Sequence, residues 1–161
     1  MVTLGMLHDI AKTVMEKSLV QPEHGFATDP RERLKQETEL YGIDHAALGG
    51  ILARKWQMPE RLSKTIEQHH WPMFWPVREI GQLSSDTVKE LAILSVSDIA
   101  AKNFLQQQIF GAYIGDDYYR FIKKQPKIES IVTPEITRDL NRIKLLGGIK
   151  DRDISGEPDT S

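Results

Sequence analysis

The sequence predicts an all-α protein, and three observations support that prediction. Apolar residues recur at helical spacing along most of the chain, and no segment alternates as a half-buried strand would. Helix stop and start signals separate these segments, with Gly42 after one of them and Pro59 at the beginning of another. The 161 residues, 40% of them hydrophobic, suffice for one domain with its own core. We therefore expect a bundle of about five to seven helices.

The first part of the chain predicts two helices joined by a loop. Apolar residues cover nearly the whole circumference of a helix over residues 2 to 17, which is typical of a central, buried helix. Residues 18 to 30 contain two prolines and a glycine and indicate a loop. A charged helix then runs from about residue 31 to residue 40 and ends at Gly42.

The middle of the chain predicts two more helices and a packed loop. Asp44 caps a helix over residues 45 to 56, and Pro59 begins the next one. Residues 71 to 86 are rich in proline and aromatic residues, a composition that favours a packed loop. The predicted core stripe of the first of these helices consists of Leu48, Ile51, Leu52 and the aliphatic stem of Lys55.

The C-terminal part predicts a long helix, two shorter ones and a tail. The long helix spans residues 87 to about 105, a short one spans 117 to 124, and the last spans 133 to 146 before two glycines. Residues 149 to 161 are polar, and we expect them to be disordered. The predicted domain therefore extends over residues 1 to 148.

Composition and charge exclude several classes of function. A net charge of -2 provides no bulk attraction for nucleic acid. The chain has no cysteine, which excludes disulfides and thiolate metal sites. No apolar run approaches the roughly 18 residues of a membrane span, and the N-terminus lacks the features of a signal peptide. We therefore expect a cytoplasmic protein that binds neither nucleic acid nor membranes.

An ionisable pair lies inside the apolar stretch LGMLHDIAK at residues 4 to 12. On one helix, His8 and Asp9 lie about 100° apart and can reach a common point, with Lys12 one turn later. Burial of such a pair is costly unless each member has a partner or a metal ion. In the alternative interpretation, His8 is a core histidine satisfied by a backbone carbonyl and Asp9 is the ion-pair partner of Lys12.

Four more polar residues lie at predicted helix ends or on a buried helix face: His45, His69, His70 and Asp98. Histidine and carboxylate ligands without cysteine suit iron, manganese, magnesium or zinc. Structural interpretations exist for the histidines, because His45 follows a helix cap and the other two suit a helix C-terminus. A carboxylate at position 98 is harder to explain without a partner. The fifth histidine, His24, lies in a predicted loop and suits a solvated position.

Three blocks occur in a recognisable order over about residues 3 to 105: GMLHDIAK, ELYGIDHAALGGILARKWQMPERLSKTIEQHHWP and ELAILSVSDIAAK. Together they resemble the HD superfamily of all-helical, metal-dependent phosphohydrolases. The resemblance is closest to its regulatory branch, the HDOD domain of bacterial signalling proteins. It implies an HD-domain-like helical bundle, of which this chain matches the later part without the N-terminal helices of the full domain.

The resemblance also implies roles for the polar residues. By position, His8 and Asp9 match the metal-binding HD pair, Asp98 matches the distal aspartate, and His45 with His69 or His70 matches the additional ligands of binuclear members. Lys12 matches a lysine that lies near phosphate in related phosphodiesterases. Two features depart from the pattern. The seven residues before His8 leave no place for the family's upstream histidine, and Ala11 replaces the usual glycine.

From these observations we expect a regulatory, non-catalytic domain that holds a divalent metal or another ligand, such as a nucleotide, in a His/Asp pocket. The alternative is a metal-dependent phosphohydrolase acting on a nucleotide or cyclic dinucleotide, and a third possibility is an interaction module without metal. The apolar first helix predicts contact with another protein or domain, most simply in a homodimer. The residues expected near that contact are Val2, Met6, Ile10 and Val14.

Overall fold

The computed structural model describes residues 2–18, 20–80, 83–106, 114–123 and 132–146. These residues form α-helices and short 3₁₀ turns without strands, which confirms the all-α class. None of these helices is long and apolar enough to span a membrane. The predicted polar tail lies outside the described residues. The helices are α1 (Val2–Leu7), α2 (Ile10–Ser18), α3 (Pro30–Tyr41), α4 (His45–Lys55), α5 (Glu60–Glu67), α6 (Ser85–Gln106), α7 (Asp116–Phe121) and α8 (Pro134–Leu146), with 3₁₀ turns at Trp71–Met73 and Val77–Glu79.

The predicted helix over residues 2 to 17 is wrong in one respect, because a turn at His8 and Asp9 divides it into α1 and α2. The ring Nδ1 of His8 donates to the carbonyl of Gly5 at 2.9 Å. In a continuous α-helix that carbonyl would accept from the backbone N–H of Asp9. A side chain that enters the helical ladder in this way is a recognised cause of a kink.

One side of α1 and α2 faces the core and another faces solvent. Leu4, Ala11 and Met15 are buried, whereas Met6 is 76% exposed and Val14 is 43% exposed. The segment is therefore buried on one side only, and Met6 and Val14, which the sequence analysis expected near a contact with another chain, lie on its open side. The covered side packs against α4 and α5.

Capping residues set the bounds of α3 and α4 as predicted. Gly42 ends α3 with a φ of 73°, a left-handed conformation that suits glycine, and its N–H donates to the carbonyl of Thr38. Asp44 begins α4, because its side chain accepts from the backbone N–H of Ala47 at 2.8 Å. Only two residues therefore separate the end of α3 from the cap of α4, and the first residue of α4 is His45.

Helix α4 packs against α5 through small residues, so the predicted core stripe of α4 is wrong. A Cβ atom on Gly49 would lie 2.9 Å from Cγ2 of Ile66, and one on Gly50 would lie 2.7 Å from Cβ of Glu67. The two backbones therefore approach closely where α4 carries no side chain. The buried residues of α4 are His45, Ala46, Gly49, Gly50 and Ala53, while the predicted Leu48 and Leu52 are half-buried and Ile51 and Lys55 are exposed.

Helix α6 contributes to two clusters of the hydrophobic core. Leu94 packs in a cluster with Leu4 of α1, Ala53 of α4 and Ile66 of α5. Other residues of α6 pack with the segment after α5 and with α7. The buried members of this second cluster are Met73, Ile80, Val88, Ala92, Val96, Ile99, Ile114 and Tyr118.

Candidate metal centre

Four side chains converge at the junction of α1, α2, α4 and α5. They are Asp9, His45, His69 and His70, and each offers a ligand atom within 4.8 Å of the others. Oδ1 of Asp9 lies 3.3 Å from Nε2 of His45 and 3.5 Å from Nε2 of His69. The Nε2 atoms of His45 and His70 lie 2.9 Å apart. The three histidines are buried, whereas the side chain of Asp9 is 30% exposed, so the cluster reaches solvent on the side of Asp9.

Each of the four residues lies where a helix begins or ends. Asp9 occupies the turn between α1 and α2, His45 is the first residue of α4, and His69 and His70 follow the end of α5. The close packing of α4 on α5 brings the start of α4 and the end of α5 to the turn between α1 and α2 that carries Asp9. The convergence therefore depends on the glycine contact between these helices as well as on the ligands themselves.

Hydrogen bonds donated by Nδ1 orient the rings of three histidines. Nδ1 of His69 donates to the carbonyl of Ile66 at 2.7 Å, and Nδ1 of His8 donates to that of Gly5. Nδ1 of His45 lies 2.5 Å from a carboxylate oxygen of Glu37. Carbonyl and carboxylate oxygens only accept, so in the neutral form of each ring the proton lies on Nδ1 and the lone pair lies on Nε2. This arrangement around imidazole is typical of metal-binding histidines.

Protonation states in the cluster also suit a metal ion. Burial raises the pKa of Asp9, but the ion pair of its Oδ2 with Nζ of Lys12 opposes that effect, and the pKa lies well below its ordinary value. Burial lowers the pKa of both His69 and His70. The carboxylate is therefore ionised and these imidazoles are neutral, as metal ligands must be.

Unsatisfied polar atoms are concentrated at this cluster. Among buried side-chain nitrogen and oxygen atoms of the described residues, those without a hydrogen-bond partner are Nε2 of His8, Oδ1 of Asp9, Nε2 of His69 and Oε1 of Gln68. Nε2 of neutral His69 and Oδ1 of Asp9 both carry lone pairs and face each other. Two buried acceptors in that position are unfavourable unless a cation lies between them.

Lys12, His8 and Asp98 lie on the other side of Asp9. The second carboxylate oxygen of Asp9, Oδ2, accepts from Nζ of Lys12 at 2.7 Å and lies 3.5 Å from Nε2 of His8. Oδ1 of Asp98 lies 4.0 Å from the same atom of His8. The structure thus brings all six residues that the family resemblance implies as ligands into one region. Asp9, His45, His69 and His70 form the cluster, and His8 and Asp98 lie on the far side of Asp9. The Asp9–Lys12 ion pair and the carbonyl partner of His8 expected in the structural interpretation are both present.

Sequence reasoning did not identify Glu37. This residue of α3 is 1% exposed and binds His45 through both the ring Nδ1 and the backbone N–H, the latter at 2.8 Å. Burial raises the pKa of Glu37, but hydrogen bonds with His45 and Arg33 outweigh this effect. The pKa of Glu37 is therefore lowered to about 2. In sequence, Glu37 is one acidic residue in a highly charged helix, and only its i,i+4 spacing from Arg33 distinguishes it. His24, in contrast, is exposed in the loop before α3, as predicted.

Comparison with family models identifies the HDOD domain. Residues 1–72 match the family model of the HDOD domain, which confirms the resemblance noted in the sequence over that part of the chain. The matched segment contains Asp9, His45, His69 and His70, whereas Asp98 lies beyond it. Comparison with curated proteins and with solved structures finds no match.

Proposed function

We propose, on the premise that residues 1–72 form an HDOD domain, that this chain is a regulatory domain that binds a divalent transition-metal ion. The proposed ligands are Asp9, His45, His69 and His70. The supporting observation is the pair of buried acceptors, Oδ1 of Asp9 and Nε2 of His69, which face each other without hydrogen-bond partners. A cation bound by both atoms would remove the cost of their burial.

The donor set favours iron, manganese or zinc over magnesium. Three imidazole nitrogens and one carboxylate oxygen form an N/O site without sulfur. Magnesium prefers oxygen ligands and retains water, so three neutral imidazoles suit it poorly. Iron, manganese and zinc all accept imidazole and carboxylate together.

Replacement of a ligand tests the proposal against a matched control. His69→Gln removes one buried ligand, whereas His24→Gln makes the same change in an exposed loop. We expect titration of the metal-free protein with Zn²⁺ to give one strong site per chain, lost or weakened at least tenfold in the His69 variant and unchanged in the His24 variant. Equal affinities for the two variants would contradict the proposed ligand set.

A metal-dependent phosphohydrolase is the second candidate, and the exposure of Asp9 to solvent favours it. A bound divalent ion supplies Lewis-acid activation of water. The ammonium of Lys12 is already engaged by Oδ2 of Asp9, so an anionic substrate must compete with that carboxylate. We therefore expect no measurable hydrolysis of bis(p-nitrophenyl) phosphate or of a cyclic dinucleotide with Mn²⁺ or Fe²⁺. Turnover that Asp9→Ala abolishes would establish the enzyme instead.

The regulatory proposal includes self-association through the exposed side of α1 and α2. Met6 and Val14 are exposed there, and Ile10 is half-buried. Exposed apolar side chains on two consecutive helices favour contact with another chain, and a twofold homodimer is the commonest arrangement. Light scattering at micromolar concentration should give the mass of a dimer for the native chain and of a monomer for Met6→Ser/Val14→Ser. A native monomer would refute this part of the proposal.

A further inference from the structure

The carboxylate of Glu37 is buried and hydrogen-bonded through both of its oxygens. Its Oε2 accepts from both the backbone N–H and the ring Nδ1 of His45, and its Oε1 accepts from Nε of Arg33 at 2.9 Å. Three donors therefore surround one carboxylate that is 1% exposed. A carboxylate offers acceptor positions on both oxygens, so it can satisfy all three donors at once.

This geometry determines which ring nitrogen of His45 can bind a metal. Because the carboxylate accepts, the proton of the neutral ring lies on Nδ1, and Nε2 carries the lone pair. That Nε2 lies 3.3 Å from Oδ1 of Asp9 and 2.9 Å from Nε2 of His70. The second bond, from the backbone N–H of His45, joins the same carboxylate to the first residue of α4. Both the direction of the ring and the position of its backbone thus depend on Glu37.

We infer that Glu37 is a positioning residue for the metal centre, holding His45 with its Nε2 lone pair directed at the ion. This inference rests on the proposed metal-binding function. A buried carboxylate that accepts from a ligand imidazole also makes that imidazole a stronger donor. Loss of such a partner typically lowers metal affinity by about 10- to 100-fold.

Arg33 links this carboxylate to the segment that carries Asp9. Its Nη2 donates to Oε1 of Glu16 on α2 at 2.6 Å, while its Nε donates to Glu37 on α3. Glu16 is 49% exposed and makes no contact with His45 that would orient the ring. It therefore provides a matched control, because it binds the same guanidinium as Glu37 at the outer end of the same chain of ion pairs.

The experiment compares Glu37→Gln with Glu16→Gln. Both variants remove one carboxylate from Arg33 and keep the size of the side chain, but only the first changes the partner of His45. We expect competition with a chromophoric chelator to show Zn²⁺ affinity about 10- to 100-fold lower in Glu37→Gln. The affinity of Glu16→Gln should stay close to that of the native protein. Equal affinities in the two variants would overturn the role of Glu37 while leaving the proposed metal site intact.

A second measurement uses the native, metal-free chain and decides the question if Glu37→Gln fails to fold. Long-range ¹H–¹⁵N spectra of the imidazoles report which ring nitrogen carries the proton. We expect the neutral ring of His45 to carry its proton on Nδ1 and none on Nε2. The opposite tautomer would overturn the inference. Failure of the native chain to bind Zn²⁺ would instead refute the proposed metal-binding function. Titration of the native protein detects that failure independently of the variant affinities and of the tautomer of His45.

Discussion

Gly49 allows the close approach of α4 and α5, and its replacement by alanine is the sharpest test of how packing positions the metal centre. The added Cβ would lie 2.9 Å from Cγ2 of Ile66, whereas carbon atoms in contact normally stay about 3.5–4.0 Å apart. Ile66 is only 1% exposed, so its side chain has little space to retreat. The variant must therefore displace α5 or force Ile66 from its rotamer.

The magnitude follows from two opposing effects. Overpacking of a filled core costs about 1–3 kcal/mol, and the better helix propensity of alanine returns about 1 kcal/mol. We therefore expect the free energy of unfolding of Gly49→Ala to fall by up to about 2 kcal/mol, which lowers Tm by about 2–4 °C per kcal/mol in a chain of this size. The carbonyl of Ile66 holds Nδ1 of His69, so metal affinity should fall as well.

Gly5→Ala is the matched control for this substitution. A Cβ on Gly5 would meet nothing within 4 Å, and the residue lies inside α1. Alanine there should raise the free energy of unfolding by about 0.5–1 kcal/mol. Urea unfolding of both variants with chelator present measures the difference. If Gly49→Ala were stabilised as much as Gly5→Ala, the close packing would not constrain the site and the reasoning would fail.

Two further predictions concern the metal-free protein. Burial lowers the pKa of His69 and His70 below the usual 6.5, so the unfolded chain binds more protons below that pH, and unfolding free energy should decrease as pH falls from 6.5. Folding lowers the pKa of Glu37 from 4.5 to about 2, so its contribution to stability is lost only between those two pH values. An unfolding free energy that does not change between pH 7 and pH 5.5 would contradict the prediction for the histidines. Tyr118 is fully buried and donates to the carbonyl of Trp75 at 2.8 Å, so Tyr118→Phe should cost about 1 kcal/mol in urea unfolding, and no loss would show that the bond adds nothing.

The sequence predicted the helices well because their signals are local. Gly42 and Asp44 act within one turn of their own positions, so their roles are readable without the fold. The division at His8 was missed because apolar periodicity continues through it, and the cause is one bond from a ring nitrogen to the carbonyl of Gly5. A hydrogen bond of that kind leaves no trace in the hydrophobic pattern.

The convergence of Asp9, His45, His69 and His70 was predictable from the sequence, but the contacts that hold them in place were not. The order of the histidines and aspartates pointed to one site through a family resemblance, since they lie far apart in sequence. The buried face of α4 was assigned to large residues such as Ile51, but the fold buries Gly49 and Gly50, because helices approach most closely where side chains are absent. Glu37 escaped notice for a related reason, because its burial depends on α3 packing near the start of α4.

We propose that Asp9, His45, His69 and His70 bind one metal ion. X-ray diffraction at the absorption edge of the metal tests it most directly, using protein purified without chelators and analysed for metal content. We expect stoichiometric iron, manganese or zinc and one anomalous peak about 2.0–2.2 Å from the three Nε2 atoms and Oδ1 of Asp9. Protein that takes up none of these metals, or a peak at another position such as the exposed His24, would contradict it.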